Sequence, residues 1–402
     1  MSFEPLRDPF DAGGRGLQHQ GLRRANERAV LMVIAFNPGV SNAGIARLSG
    51  LAPQTVSAIL VDLDRAGLIS RGEVLRGRRG QPATPIFLDP QGAFSIGIEF
   101  GWAHIDVLLL NLHGQVLTRR RRNHEFPAPI TVVDDLVAMI EEVRATLPAD
   151  RRARMADIGL AMPTTFPQNL VVAGAPEAGL DLWEGIDLGV ELHRRTGVQV
   201  SLFNDGNAAC WAELMAFPKP RPGNFIYFLI SRYLAAGIVG EGTLWEGPTG
   251  NSANLGSMLV SNAQGELQPA HFIASVTALE QRLTAAGIAF DPHDVTAWDW
   301  ASFGSVLDQW MTDTARALAP VVFNTTMVIE SQLVIVDSIL PPEIVKQVVE
   351  RLEAELRKLP TSPHQPPQVL PGHMGALAPA VGAAELTLYR RYFSRTLADL
   401  AG

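Results

Sequence analysis

The stretch VQVSLFNDGNAA, residues 198–209, decides the fold class of this 402-residue chain. Its first half, Val198 to Phe203, is an apolar run of the length of a buried strand. The polar residues that follow lead directly into apolar positions at helical spacing, Trp211, Leu214 and Met215. In α/β proteins a ligand commonly lies where the carboxyl end of a strand meets the N-terminus of the next helix. The stretch therefore predicts an α/β protein with a binding site at Asn204 and Asp205.

The sequence on either side of this stretch repeats one pattern of elements. Three short apolar runs broken by glycine predict a β-meander near residue 96, and a second meander is predicted from Phe225. After each meander, strand and helix patterns alternate; the predicted helices span 130–145, 273–285 and 310–330, and further strands are predicted at 158–163 and 333–336. Two halves of this kind are typical of the actin and hexokinase fold, in which a cleft separates two lobes. We expect the lobes to meet near residue 205.

The first ninety residues predict a separate module. Apolar positions between Arg24 and Leu68 recur in three short helical bursts, separated by turn-forming segments at 37–39 and 50–53. Pro53 suits the start of the third helix and Gly67 suits its end. This pattern predicts a helix-turn-helix, in which the exposed start of the third helix meets base edges. The side chains expected to contact DNA there are Gln54, Thr55 and Ser57.

A basic segment follows the third predicted helix. Arg76, Arg78 and Arg79 alternate with glycines before the apolar strand 86–88, which predicts a β-hairpin wing with an arginine-rich tip suited to a narrow minor groove. Residues 1–86 contain eleven arginines and seven acidic residues, a net charge of +4, and because the whole chain carries −8 the remainder carries −12. This asymmetry favours a head that faces phosphates. The alternative is an ordinary three-helix bundle with a solvated arginine loop.

Composition limits the remaining possibilities. The single cysteine, Cys210, excludes an internal disulfide and a multi-cysteine zinc site. No apolar run reaches the length of a membrane span, and no secretory leader opens the chain, so we expect a soluble cytoplasmic protein without cofactor. The predicted domains are a disordered arm at 1–22, a winged helix-turn-helix at 23–90 and a two-lobed body at 91–402.

From about Arg23 to Arg390 the chain resembles the ROK family of bacterial repressors and sugar kinases. The segment Phe203-Asn204-Asp205-Gly206-Asn207-Ala208-Ala209 is similar to the family's most recognisable motif, and the segments at 53–57 and 80–82 resemble the head and wing of its repressors. The resemblance implies a sugar cleft. It also implies that Asp205 stands where the kinases have the general base that deprotonates a sugar hydroxyl.

The chain departs from the kinases at each nucleotide contact. Where they have an aspartate followed by Gly-Gly-Thr, this chain has Glu99, Gly101, Trp102 and Ala103. The second phosphate loop, usually glycine-rich, is SRYLAAG at 231–237, and the adenosine-side glycines correspond to Asp337-Ser338. We therefore predict neither ATP binding nor kinase activity.

The resemblance also locates the effector and metal positions. The family's zinc ligands, one histidine and three cysteines, have no counterpart here, because residues 254–257 read NLGS and no cysteine occurs in 261–271. The expected effector-binding residues are Asn204, Asp205, Asn254, His271 and Glu177. Three of them also have a purely structural interpretation. Asp205 could cap a helix, His271 could be a core histidine whose hydrogen bonds are made within the protein, and Asn254 could form a turn. The run Arg119 to Arg122 is interpreted as a solvated strand edge, with a nucleic-acid patch as the alternative.

These expectations combine into one function. We expect a transcriptional regulator, a repressor, that binds operator DNA as a homodimer or higher oligomer and senses a small sugar-like effector, acidic or modified sugars included, with His271 as a possible cation. Two alternatives stay open: a sugar kinase with an appended head, and a DNA-binding protein whose body no longer binds ligand.

Overall fold

The computed structural model describes residues 19–73, 84–124, 128–163, 181–292, 294–360 and 365–394. The chain begins with three helices, α1 (His19–Phe36), α2 (Asn42–Ser49) and α3 (Pro53–Arg65). Ser41 caps α2 by accepting a hydrogen bond from the Gly44 amide, and Gly50 ends it in a left-handed conformation. The predicted arm at 1–22 is thus too long at its C-terminal end, because residues 19–22 belong to α1.

A two-stranded antiparallel ribbon follows these helices. It is formed by β1 (Ile69–Arg71) and β2 (Ile86–Leu88), with Ile69 opposite Leu88. Alternate residues of β2 are buried, so Ile86 and Leu88 join the core of the three helices while Phe87 points outward. The segment between the two strands, 74–83, lies outside the described residues, and with it the predicted wing tip.

Two five-stranded sheets with the same topology form the rest of the chain. In the first sheet the strand order is β5-β4-β3-β6-β7 and in the second it is β10-β9-β8-β13-β14. In each, an antiparallel meander is extended by two parallel strands. Both meanders were predicted, whereas the outer parallel strand of the second sheet was not. The strands of the first sheet are β3 (Phe94–Phe100), β4 (His104–Asn111), β5 (Val116–Asn123), β6 (Met155–Met162) and β7 (Val200–Asn204). Those of the second are β8 (Phe225–Ile230), β9 (Leu234–Gly240), β10 (Thr243–Leu244), β13 (Leu333–Ser338) and β14 (Gln368–Pro371).

Helices cover both sheets. They are α4 (Pro129–Ala145), α5 (Ala149–Arg152), α6 (Leu188–Thr196), α7 (Asp205–Ala216), α8 (Val276–Ala285), α9 (Gly304–Ile329), α10 (Pro342–Leu356) and α11 (Ala378–Tyr392). A small hairpin of β11 (Leu259–Ser261) and β12 (Leu267–Pro269) precedes α8. Two helices begin three or more residues from the predicted position: Ser275 caps α8, so that helix begins at Val276, and α9 begins six residues before Trp310.

Helices α7 and α11 pack against each other between the two sheets, and α11 also covers β3 and β6. The two helices approach closely at Gly382, where any side chain would overlap the carbonyl of Ala208. Because α7 begins at Asp205, this contact places the end of β7 at the centre of the body. The site predicted at the end of that strand therefore lies where the two sheets meet.

The three N-terminal helices are packed against the body. Their apolar cluster includes four residues of the body, Ala93, Leu112, Ala156 and Leu388. In addition, the guanidinium of Arg28 on α1 donates hydrogen bonds to the carbonyl of Arg391 in the last turn of α11 (3.1 Å) and to that of Ser394 just after it (2.9 Å). Burial of shared apolar surface stabilises this contact, so the position of the head depends on α11. Among the described helices none is both long enough and apolar enough to cross a membrane.

Candidate functional site

A cavity of about 320 Å³ lies between the two sheets, at the carboxyl end of β7. Four of the five predicted effector residues line it: Asn204, Asp205, Asn254 and His271. The fifth, Glu177, lies outside the described residues. The remaining lining residues come from the loops, strand ends and short helices that border the cavity: Trp102, Pro163, Ser231, Tyr233, Leu234, Ala235, Ala236, Ser252, Ala253, Ser257, Pro269 and Phe272. A pocket of this size accommodates a ligand comparable to a monosaccharide.

Asn204 and Asp205 have different roles at the start of α7: Asn204 caps the helix and Asp205 lines the cavity. Asn204 is the helix cap, because its Oδ1 accepts a hydrogen bond from the Asn207 amide at 3.0 Å, and its Nδ2 donates to Asp205 Oδ1 at 3.2 Å. The alternative that Asp205 caps the helix is therefore wrong. Asp205 Oδ1 accepts from the Gly206 amide at 2.8 Å, which orients the carboxyl group in the cavity.

The Asp205 carboxyl is in an environment that disfavours its charge. Burial, with a further contribution from the negative charge of Glu99, raises the pKa of Asp205 to about 6, although the hydrogen bond from the Gly206 amide acts in the opposite direction. A carboxyl with a pKa near 6 accepts hydrogen bonds at neutral pH and becomes a donor in mild acid. Such a group can bind the hydroxyl of a polyol in either state.

The opposite wall of the cavity is formed by the segment before β11 and the short helix that contains His271. Asn254 Oδ1 accepts a hydrogen bond from the Ser257 hydroxyl at 3.1 Å. These two residues, at which the chain departs from the ROK pattern, are therefore in contact. The His271 ring packs edge-on against Phe272, with ring centroids 4.4 Å apart. Burial lowers the pKa of His271, so its imidazole is neutral at pH 7, and the expectation of a cationic His271 is wrong.

Aromatic side chains occupy the region in which the kinases would hold phosphate. Trp102, in the turn between β3 and β4, contacts Tyr233, in the turn between β8 and β9, with ring centroids 4.9 Å apart. The ring centroids of Tyr233 and His271 are 5.8 Å apart. The first contact joins the turns of the two sheets at the cavity, at the two positions where the resemblance to the kinases predicted glycine-rich loops.

Asp337 and Ser338, at the predicted adenosine position, form hydrogen bonds with other residues of the protein. Asp337 accepts hydrogen bonds from the Tyr227 hydroxyl (3.0 Å) and from the amides of Ser338 and Gly375 (2.8 Å each). The Ser338 hydroxyl donates to the carbonyl of Ile230 at 2.9 Å. These side chains tie β13 to its neighbours, so they serve the packing of the second sheet.

The sequence analysis missed an ion-pair network around one buried carboxylate of the first sheet, Asp106. Asp106 is fully buried and accepts hydrogen bonds from Arg119 (2.6 and 3.0 Å) and Arg121 (3.0 Å). The strand register places Arg121 directly opposite Asp106. The alternation of Arg119 and Arg121 on one face of β5 was the available signal, but it identifies a partner only once the register is known.

The run Arg119 to Arg122 is solvated, as predicted, because its four side chains are between 36% and 42% exposed; what the prediction missed is that they are also paired. Arg120 and Arg122, on the other face of β5, pair with Glu142 and Asp135 of α4. β5 is indeed an edge strand, but all four guanidinium groups have carboxylate partners. A nucleic-acid patch at this position would have to break those pairs.

Three possible metal-ligating groups lie beside this network. Atoms of Glu99, His104 and Asp106 lie within 4.8 Å of one another. The two oxygens of Asp106 already accept from two arginines, and these cations oppose the binding of a further cation. The geometry is that of an internal ion-pair cluster. At the β11–β12 hairpin, the residues present do not fit the family's zinc site, because the segment has no cysteine.

The predicted DNA-contacting side chains lie at the start of α3. Gln54 and Ser57 are exposed and Thr55 is half-buried. The Ser57 hydroxyl donates to the Pro53 carbonyl at 2.9 Å and accepts from Asn42 on α2 at 3.0 Å, so Ser57 also joins the two helices. Arg76, Arg78 and Arg79 lie outside the described residues.

Comparisons with known proteins agree on one family. The sequence profile of the ROK family matches residues 95–390. The chain is 25% identical to an uncharacterized protein of Sinorhizobium fredii over 93% of each chain. It is 24% identical to the xylose repressor of Bacillus subtilis over 91% of this chain and 96% of the repressor. A solved structure described as a ROK family transcriptional regulator, homologous to the Escherichia coli Mlc protein, superposes with a TM-score of 0.70 at 20% identity, covering 95% of this chain and all of that one.

Proposed function

Because the chain belongs to the ROK family, we propose that it is a DNA-binding transcriptional repressor controlled by a sugar or sugar derivative that binds between its two sheets. The observation that carries the proposal is the cavity in which Asn204, Asp205 and Asn254 meet. Amide and carboxyl groups that project into a cavity of monosaccharide size suit a ligand with several hydroxyl groups. The full-length similarity to a xylose repressor supports the same class of function.

We propose that residues 23–90 form a winged helix-turn-helix with α3 as its recognition helix. The three helices, the αL glycine between α2 and α3, and the ribbon of β1 and β2 occur in the order that such a module requires. The exposed Gln54 at the start of α3 is suited to a base edge. Residues 91–402 would then form the effector-binding and dimerisation body, whose lobes meet near residue 205.

We propose a homodimer or higher oligomer that binds a nearly palindromic operator containing A·T pairs. One recognition helix reads too few base pairs to select a single site, so two heads are needed for specificity. Because a repressor must reach the chromosome, the proposal includes a cytoplasmic location.

The kinase alternative is disfavoured by the contents of the cleft. The Trp102–Tyr233 contact and the internally bonded Asp337 occupy the positions at which a kinase would hold phosphate and adenosine. The proposed protein is therefore a sensor and not an enzyme. The other alternative, a body without a ligand, is opposed by the cavity of about 320 Å³ with its polar lining.

The test combines operator binding with effector release. A DNA duplex selected from a random library by the full-length protein is labelled, and its release is followed by fluorescence anisotropy across a panel of neutral, amino and acidic sugars. At least one sugar should release the duplex from the wild type. Asp205→Ala should abolish this release while changing the Kd for DNA less than about twofold, because the head is unaltered.

Asp150→Ala is the matched control, because Asp150 is an exposed carboxylate on α5 outside the cleft. This control should respond to the sugar like the wild type. If Asp205→Ala releases DNA at the same sugar concentration as the wild type, the cleft is not the sensor.

A further inference from the structure

A second and larger cavity, of about 1000 Å³, lies between the N-terminal module and the body. One side is formed by α1 and β2, with Met32, Phe36 and Phe87, and the other side by α7, α11 and the segment 219–223. None of its lining residues lines the effector cleft. The two cavities are therefore separate, although α7 borders both, with Asp205 at one end and Trp211, Leu214 and Met215 further along.

The walls of this cavity, which we call the joint cavity, are mainly apolar and aromatic. Trp211 packs against Tyr389 with ring centroids 4.6 Å apart. Leu214, Met215 and Leu388 extend the same surface towards Phe36 on α1. Flat aromatic walls of this kind favour a ligand that contains a ring.

Three polar atoms in the residues that line the joint cavity are buried without a hydrogen-bond partner in the described part of the chain. They are Trp211 Nε1, Arg221 Nε and Glu385 Oε2. The Trp211 side chain is 4% exposed, so bulk water does not compensate for the missing partner. Because leaving a buried polar group unpaired is unfavourable, several such groups around one cavity indicate that something polar belongs there.

The charges around the joint cavity favour an anion. Lys219 and Arg221 stand on the same segment, and Lys219 Nζ lies 4.4 Å from the centre of the Phe36 ring. Burial raises the pKa of the Glu385 carboxyl to about 8, although the nearby Arg221 lowers it, so this carboxyl is mainly neutral at pH 7 and can donate. The cavity is then lined by two cations, Lys219 and Arg221, and by two further donors, Trp211 and the protonated Glu385, and none of the three unpaired groups carries a negative charge.

We propose that the joint cavity is a second small-molecule site that binds an aromatic carboxylate. The ring would lie against Trp211, Tyr389 and Phe36, and the carboxylate would accept hydrogen bonds from Arg221 and Trp211 and from the protonated Glu385. Such a ligand supplies acceptors for all three unpaired atoms, which a neutral apolar molecule would leave unpaired. The site is independent of the sugar cleft and would contact both the head and the body.

The binding test uses the full chain and isothermal titration calorimetry with 2-naphthoate. The uncharged analogue 2-naphthamide has nearly the same shape and serves as the comparison. We expect saturable binding of 2-naphthoate at pH 7, and binding of 2-naphthamide that is weaker by about tenfold or more, because the amide lacks the charge that Lys219 and Arg221 attract.

Variants of residues that line the joint cavity test whether 2-naphthoate binds there. Arg221→Gln should weaken 2-naphthoate binding by about tenfold or more, whereas Arg195→Gln, which removes a surface arginine paired with Asp134, should not change it. Leu214→Trp, which fills the cavity, should abolish binding; if that variant does not fold, the Arg221→Gln comparison decides. Asp205→Ala should bind 2-naphthoate like the wild type, which separates this site from the sugar cleft.

The pH dependence tests the part played by Glu385. The other titratable groups that line the joint cavity are Lys219, Arg221, His113 and Tyr389. Ionisation of Glu385 above about pH 8 should repel the ligand, so affinity should fall between pH 7 and 9 in the wild type. Glu385→Gln should keep the affinity and lose most of this fall. No binding at millimolar 2-naphthoate, equal binding of the amide, or unchanged binding in Arg221→Gln would each overturn the proposal.

Discussion

Asp205 shows how one residue acquires its chemistry from its neighbours. The backbone amide of Gly206 and the side chain of Asn204 both donate to its Oδ1. Asn204 carries the capping of α7, which leaves the Asp205 carboxyl available to the cavity. Burial and the nearby Glu99 then raise the pKa of Asp205 to about 6. The position is thus specialised for a ligand at some expense of stability.

This expense predicts a pH-dependent stability. The pKa of Asp205 is about 6 in the folded protein and 3.8 for the free group, so its contribution to folding is most favourable below about pH 4 and declines as the pH rises through 6. Asp205→Asn should therefore be more stable than the wild type at pH 7.5 by about 1–2 kcal/mol, a value reduced because the residue is partly exposed. The difference in denaturant midpoint should shrink at pH 4.5. An equal difference at both pH values would contradict the raised pKa.

At the scale of single elements, α3 has one face buried in the core, while the side chains on the opposite face, including those at its N-terminus, are exposed. Val56, Ile59, Leu60 and Leu63 enter the core, and Pro53 at the first turn lacks only an amide that would be unpaired in any case. The side chain of Gln54 is exposed at this end. If α3 is the recognition helix, this is the residue whose loss should matter for DNA and not for folding.

We expect Gln54→Ala to weaken specific operator binding by about 1–3 kcal/mol, with little change in binding to unrelated DNA, because a base-edge contact is lost and the phosphate contacts remain. Gln347→Ala is the matched control, since Gln347 is exposed on α10 and bonds only within its own helix. Electrophoretic mobility shift with specific and random duplexes measures both variants. Equal weakening on both duplexes would count against base recognition by α3.

The wing makes a different prediction. Replacing Arg78 and Arg79 by alanine should weaken binding to all DNA and reduce the slope of log K against log salt concentration by about 2, since each lost phosphate contact lowers it by about 0.9. Arg357→Ala combined with Lys358→Ala removes the same charge from the exposed end of α10. That control should leave the slope unchanged, and an unchanged slope in the Arg78 and Arg79 variant would overturn the wing assignment.

At the scale of the whole molecule, the two sheets meet through side chains that are distant in sequence. Trp102 lies in a turn of the first sheet and Tyr233 in a turn of the second, and their contact joins the two halves beside the cleft. The cavity is lined by residues from both halves. A ligand there contacts both halves at once, so its binding depends on the angle between them.

This arrangement predicts that the protein does not use ATP. ATP with magnesium should not change the melting temperature, and no hexose should be phosphorylated in a coupled assay, because the aromatic contact and Asp337 occupy the phosphate and adenosine positions. Sugar-dependent ATP consumption by the wild type that disappears in Asp205→Asn would show that the protein is a kinase.

The sequence by itself determined the family, most elements up to residue 336 and four of the residues that meet in the cleft. It did not predict α10, β14 or α11. Local signals carry this information: apolar spacing distinguishes the strands from the helices, and the segment 203–209 identifies the ROK family without reference to distant residues. The repeated meander also predicted that the two sheets begin in the same way.

Only the tertiary structure decided the properties that depend on distant neighbours. The pairing of Arg119 and Arg121 with Asp106 required the register of β4 and β5, and without it the carboxylate partner of these exposed arginines could not be identified. The lowered pKa of His271 results from burial, so the expectation of a cation there failed. The joint cavity arises only when α1 and β2 are packed on α7 and α11, because side chains more than 170 positions apart in the chain, such as Phe36 and Trp211, form its walls. Local sequence patterns specify elements, whereas register, burial and charge pairing are set when those elements pack.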